Sequence, residues 1–81
     1  MRVHVKLFAI LREVAGTGDE TLELPDGATV ALVRERLTVI HPPLARHLPR
    51  VAYAVNRTYA PLETRLHDDD EVALIPPVSG G

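Results

Sequence analysis

The chain contains no cysteine. That excludes disulfide scaffolds, thiolate metal sites and cysteine nucleophiles. It has no apolar run approaching the ~20 residues that cross a bilayer. Met1 to Lys6 is charged at alternate positions and lacks the apolar core of a signal peptide. A cytoplasmic protein with no membrane contact is therefore expected. Gln is absent, Asn56 is the only Asn and Met1 the only Met. Scarcity of these labile residues fits a thermophile, although a GC-rich genome would explain the arginine excess equally well. No strong charge of either sign is present: nine Lys and Arg against eleven Asp and Glu leave −2. Nothing in that balance draws the chain to phosphate backbones, so nucleic acid is not an expected partner.

Side-chain catalysis is equally short of material. Ser79 is the only serine and lies in a terminal stretch with no rigid base beside it, which argues against a Ser/His/Asp triad. The four histidines, at 4, 41, 47 and 67, lack metal-ligand spacing, and Pro42-Pro43 keeps His41 and His47 off one helix face. They read as solvated histidines, and no metal site is expected. Asp68-Asp69-Asp70-Glu71 lacks the ligand spacing and distal Glu of a calcium loop and reads as a solvated turn.

What is there is a small globular domain. The chain has 81 residues, 46% hydrophobic and 25% charged, enough for one modest core and too apolar for a disordered chain. Val3, Val5 and Leu7 alternate with Arg2, His4 and Lys6, a strand with one buried face. Ala9 to Val14 suits a short helical turn ended by Gly16 and Gly18. Leu22 and Leu24 alternate with Thr21 and Glu23, a second strand paired antiparallel to the first. Pro25-Asp26-Gly27 is a turn, and Thr29 is placed to cap a helix with its hydroxyl. Val30, Val33, Leu37 and Ile40 form one apolar helical stripe, stopped at His41-Pro42-Pro43.

Leu44 to Leu48 suggests a further turn. Val51, Tyr53 and Val55 form a third strand with Ala52 and Ala54 on its other face, followed by a tight turn at Asn56-Arg57-Thr58. Tyr59 to Leu62 is a weak edge segment interrupted by Pro61. Val72 and Leu74 alternate with Ala73 and Ile75 in the last strand. One helix across one face of a mixed sheet would bury both apolar patterns, an α+β architecture. The domain is expected over 1–75, with residues 76–81 an extended tail.

That tail carries the only group with a good chemical case, the carboxylate of Gly81. A carboxylate is a poor electrophile until ATP converts it to an acyl-adenylate, whose AMP leaves easily. Gly80 and Gly81 have no Cβ, so their backbone can enter a narrow channel. Pro76 and Pro77 favour an extended root, leaving Val78 and Ser79 between root and tip. A second feature points to a partner. Phe8 and Ile75 fall off the buried pattern and, with Ala52, Ala54 and Tyr59, place apolar surface on the open side of the sheet. Phe8 folded back into a sheet-edge core is the competing reading. Arg12, one turn beyond Phe8, is a candidate to pair with acidic groups of a partner.

The runs Leu7-Phe8-Ala9-Ile10-Leu11-Arg12-Glu13, Ala54-Val55-Asn56 and Asp70-Glu71-Val72-Ala73-Leu74-Ile75-Pro76-Pro77-Val78-Ser79-Gly80-Gly81 resemble the small, sulfur-carrying subunits of molybdopterin synthase. The resemblance covers the whole chain and implies the ubiquitin-like β-grasp fold. It implies that an E1-like adenylyltransferase activates Gly81 with ATP, and that a persulfide donor's sulfur replaces AMP to leave a thiocarboxylate. The tail then enters the synthase large subunit and gives sulfur to cyclic pyranopterin monophosphate, in a heterotetramer. No cofactor is held by the carrier, which is a sulfur-donating subunit with no catalytic side chain of its own. The family's partner surface maps to Phe8, Tyr59 and Ile75, although Phe and Leu are common where Tyr59 and Ile75 stand. Asp69 stands where the family commonly has Gly, so it is expected to take left-handed geometry. Sulfur carriers for tRNA or thiamin, a modifier joined to lysines through Gly81, and a stand-alone interaction module share this pattern and stay open.

Overall fold

The computed structural model describes residues 1–77. The tail residues Val78, Ser79, Gly80 and Gly81 lie outside the described residues.

The chain runs β1 (Arg2–Leu7), α1 (Ala9–Ala15), β2 (Asp19–Glu23) and α2 (Val30–Ile40). Two 3₁₀ turns follow (Pro42–Arg46 and Leu48–Arg50), then β3 (Ala52–Val55), β4 (Thr58–Tyr59) and β5 (Glu71–Ile75). The strands form one sheet in the order β2-β1-β5-β3-β4. β1 and β5 are parallel at its centre, and the other pairings are antiparallel.

Alternation decides which side each residue takes. Val3, Val5 and Leu7 of β1, Leu22 of β2, Tyr53 of β3, and Val72 and Leu74 of β5 are buried toward α2. From the helix, Val30, Val33 and Leu37 meet them. Leu44 and Leu48 close the core from the 3₁₀ turns, and Leu66 from the loop before β5. Register brings Leu7 beside Leu74, and Leu74 beside Tyr53, so the middle of the core is a continuous row across three strands.

Several local devices differ from the sequence expectation. Thr29 is the N-cap of α2 with extended backbone, but its side chain makes no capping bond. The orphan N–H groups of Val30 and Ala31 instead donate to the carbonyls of Thr64 and Leu62, at 3.1 and 2.9 Å. A distant loop has replaced the local hydroxyl, satisfying the same backbone requirement. Leu24 falls outside β2, yet its N–H donates to the Met1 carbonyl at 2.8 Å, so the pairing direction continues past the strand. Thr58 belongs to β4 rather than to the preceding turn, and β4 ends at Tyr59, ahead of Pro61.

The β3–β4 link is a two-residue loop. Asn56 and Arg57 have φ of 48° and 71°, the pair of positive values that defines a type I′ turn. Asn56 ties this turn to the loop before β5. Its Nδ2 donates to Asp70 Oδ1 at 2.9 Å, and its Oδ1 accepts from the Glu71 N–H at 3.0 Å. Asp69 has φ of 66°, so the aspartate holds the left-handed geometry expected of it. Nor are all the histidines simply solvated. His41 Nε2 lies 2.5 Å from Glu20 Oε1 in a half-buried pair joining the end of α2 to β2.

Candidate functional site

The side of the sheet away from α2 carries a shallow groove of about 520 Å³. Its lining comes from Lys6 of β1, Ala54 of β3, Tyr59 of β4, Glu71, Ala73 and Ile75 of β5, and Phe8 and Arg57 in the connections. Register explains the shape. Ala73 lies between Lys6 on β1 and Ala54 on β3, and Ala54 pairs in turn with Tyr59. Two adjacent alanines leave a low floor, and both are buried by the taller residues around them. Phe8 and Tyr59 rise from the rim, 49% and 72% exposed.

Phe8 reaches this rim because the chain breaks stride after β1. Phe8 itself has extended backbone, while the next residue, Ala9, has φ of 50°. That region is sterically disfavoured for an alanine, by about 1–2 kcal/mol. The bend starts α1 directly off the strand and leaves the Phe8 ring at the edge of the groove instead of in the core. Leu11, one helical turn on, is fully buried and pins α1 beneath it.

Charges frame the apolar centre. Lys6 is ion-paired with Asp19 of β2. The hydrogen bond and charge of Asp19 raise the Lys6 pKa above its ordinary value. The same bond and charge lower the Asp19 carboxyl, with a smaller contribution from the Arg12 guanidinium. Glu71, two residues before Ala73 on β5, adds its charge to those that raise the Lys6 pKa, and Arg57 lines the groove from the I′ turn.

Of the residues singled out from the sequence, Phe8, Tyr59 and Ile75 are therefore brought together in one groove. Arg12 is not. Its side chain lies along Gly18, where an added Cβ would stand 3.3 Å from Arg12 Cδ and Nε, and it lines a separate hollow with Glu13, Thr17 and Asp19. The arginine that borders the groove is Arg57. Lys6, Arg57 and Glu71 were missed as site residues, although Lys6 could have been found from the alternation that places it opposite Val5 and Leu7. Pro76 and Pro77 follow β5 directly without regular secondary structure, so Ile75 joins the groove to the root of the tail.

A mixed five-stranded sheet crossed by one main helix, with parallel central strands formed by the two ends of the domain, defines the ubiquitin-like β-grasp class. A ubiquitin of Caldiarchaeum subterraneum shares this fold at a TM-score of 0.65 and 18% identity, covering 100% of this chain and 98% of that one. A closer structural likeness is SAMP1 from Haloferax volcanii, with a TM-score of 0.91 and 34% identity over 100% of both chains.

The ThiS family model matches residues 5–81, and the chain belongs to that family. The molybdopterin synthase sulfur carrier subunit of Mycobacterium tuberculosis is 42% identical over 82 residues, covering 100% of this chain and 99% of the relative. The subunit of the same name from Chlamydomonas reinhardtii is 40% identical over 83 residues, covering 100% of both. A chain in the protein–protein complex of subunits 1 and 2 of the molybdopterin-converting factor from Helicobacter pylori matches at a TM-score of 0.75 and 27% identity, covering 100% of both chains.

Proposed function

We propose that this chain is the sulfur carrier subunit of a molybdopterin synthase. The observation that carries the reading is the full-length match to relatives of that name, at up to 42% identity, running through the terminal Gly-Gly. The groove supports it physically. An apolar depression with an exposed aromatic at each rim suits a stable protein partner, and Ile75 puts that partner at the tail's root. The partner is the synthase large subunit, and the assembly is a heterotetramer in the cytoplasm.

The chemistry belongs to Gly81. An E1-like adenylyltransferase joins its carboxylate to the AMP moiety of ATP, releasing pyrophosphate. The outer sulfur of a persulfide donor attacks the acyl carbon and displaces AMP. A second thiol then cleaves the resulting acyl disulfide, which leaves a thiocarboxylate on the chain and a disulfide between the donor thiol and the second thiol. That sulfur is soft and ionised, and it attacks cyclic pyranopterin monophosphate inside the large subunit. Two carriers are consumed for each dithiolene. The β-grasp body contributes docking and presentation, while ATP is bound and consumed by the activating enzyme. The test is intact mass after incubation with ATP, the activating enzyme, a persulfide donor and a thiol reductant. A shift equal to one oxygen replaced by sulfur is expected, and an unchanged mass rejects the carrier reading.

A second reading, a modifier joined through Gly81 to lysines of other proteins, is favoured by the close structural likeness to a small archaeal modifier protein. Isopeptide-linked ladders in denaturing gels of cell lysates would support it. Their absence, with thiocarboxylate formation intact, would leave the carrier reading alone.

A further inference from the structure

We infer that a cationic hollow at the root of the tail docks an acidic surface of the enzyme that activates Gly81. This rests on the carrier reading above. The hollow holds about 300 Å³ and is lined by Ile10, Arg46, His47, Arg50, Pro76 and Pro77. It shares no residue with the groove that carries Phe8, Tyr59 and Ile75. The two depressions meet the strand–tail junction at consecutive residues, Ile75 in the groove and Pro76 in the hollow.

The sequence concentrates positive charge here. From Arg36 to Leu62 there are four arginines and two histidines, and no Asp or Glu; all eleven acids lie before or after that stretch. Among the described residues, Arg2, His4, Lys6, His41 and His67 meet acids of the same chain, while seven arginines, Arg46 and Arg50 among them, make no such pair. Among the same residues, His47 makes none either.

The fold holds the three basic residues outward on a fixed frame. Leu44 and Leu48 are buried, and the 3₁₀ turns are closed by His47 N–H to the Leu44 carbonyl at 2.8 Å and Arg50 N–H to the His47 carbonyl at 3.1 Å. In 3₁₀ geometry residues three apart eclipse, so His47 and Arg50 share a side.

Position narrows the occupant to the enzymes that work on Gly81, and the character of the hollow chooses between them. Four residues separate Pro77 from Gly81, at most about 14 Å at full extension. Any enzyme working on Gly81 therefore reaches the hollow with the mouth of its channel. The activating enzyme must also release the carrier once it is charged. Exposed charges suit such a partner, because they steer encounter and set on-rates while adding little to the affinity that would delay release. The apolar groove suits the longer-lived contact with the large subunit. Carboxylates at the mouth of the activating enzyme's channel are the matching chemistry.

The test uses the full chain with Arg46→Glu and Arg50→Glu together. Both positions are exposed, so circular dichroism and thermal midpoint should match wild type. The reference variant is Arg36→Glu with Arg65→Glu, which makes the same change in net charge away from the hollow. With wild type confirmed to be activated, pyrophosphate release is measured against carrier concentration at two salt levels. The hollow variant should lose about tenfold in kcat/KM at low salt, mostly through KM, and the gap should shrink below about threefold at high salt. The reference variant should stay within about twofold of wild type, and calorimetric affinity for the large subunit should be unchanged.

Equal kcat/KM for the hollow and reference variants overturns the inference. So does an equal loss of affinity for the large subunit, which would make the hollow a general tail-recognition surface. A wild-type chain that is never adenylated overturns the carrier reading instead, and this inference with it.

Discussion

Replacing Phe8 by serine separates docking from folding. The ring is 49% exposed at the groove rim, so roughly half of an aromatic side chain's area, about 100 Å², is free to be covered by a partner. At about 25 cal/mol per Å² that is about 2.5 kcal/mol, or roughly a 60-fold rise in Kd for the large subunit. The fold should tolerate the change. Phe8 is the N-cap of α1 and makes no capping bond there, whereas serine is among the preferred N-caps. The gain from a new cap, about 0.5–1 kcal/mol, offsets part of the packing lost from the half-buried ring. The assay pairs calorimetric titration into the large subunit with a thermal melt of the free carrier. A Kd within threefold of wild type would refute the assignment of Phe8 to the docking surface. A large fall in melting temperature would place the ring in the core instead.

Other positions give independent checks. Tyr53 is buried and its hydroxyl has no hydrogen-bond partner, so Tyr53→Phe should raise stability by about 1 kcal/mol in urea denaturation. Burial also pushes the Tyr53 phenol above its ordinary value of 10.0, opposed by the nearby Arg34 charge. Its contribution is therefore intact below about pH 10 and falls as alkaline pH ionises the unfolded phenol first; a Tyr53→Phe chain should lack this component of the pH–stability curve. Ala9 has φ of 50°, so Ala9→Gly should relieve strain and stabilise by about 1 kcal/mol, and a clear loss of stability would contradict the strained reading. Leu74, fully buried between Leu7 and Tyr53, should cost about 2–5 kcal/mol as alanine, a large share of the roughly 4–12 kcal/mol available to a chain of this length. A loss under 1 kcal/mol would argue against the central row as the core's keystone.

The sequence was most legible where one physical requirement acted alone. Val3, Val5 and Leu7 alternate because one face of β1 is buried, and the stripe at Val30, Val33 and Leu37 follows because one face of α2 is. The pairing of Phe8 with Ile75 on the open face could be read the same way, since both break an otherwise regular burial pattern. Legibility failed where distant segments supply the answer. Thr29 has the composition of a cap, but carbonyls from Leu62 and Thr64 arrive first, and nothing near Thr29 announces them. Arg12 lies one turn from Phe8 in sequence, yet its side chain runs along Gly18 and lines a hollow apart from the groove that Phe8 borders. Arg57 enters the groove only because two positive φ values fold β4 back on β3. The hollow formed by Arg46, His47 and Arg50 was hidden for a similar reason. Its charge bias lies in plain view between Arg36 and Leu62, but its meeting with Pro76 depends on how the 3₁₀ turns pack beneath α1.

The central claim is that sulfur travels on the carboxyl carbon of Gly81 and on no side chain. The most direct measurement compares the chain with a version carrying one alanine appended after Gly81, each incubated with ATP, the activating enzyme, a persulfide donor, a thiol reductant, the large subunit and the pterin precursor. The unmodified chain should form thiocarboxylate and yield dithiolene at two carriers per product, while the extended chain should form neither and still bind the large subunit through its groove. Dithiolene formed at an undiminished rate by the intact extended chain would contradict the account.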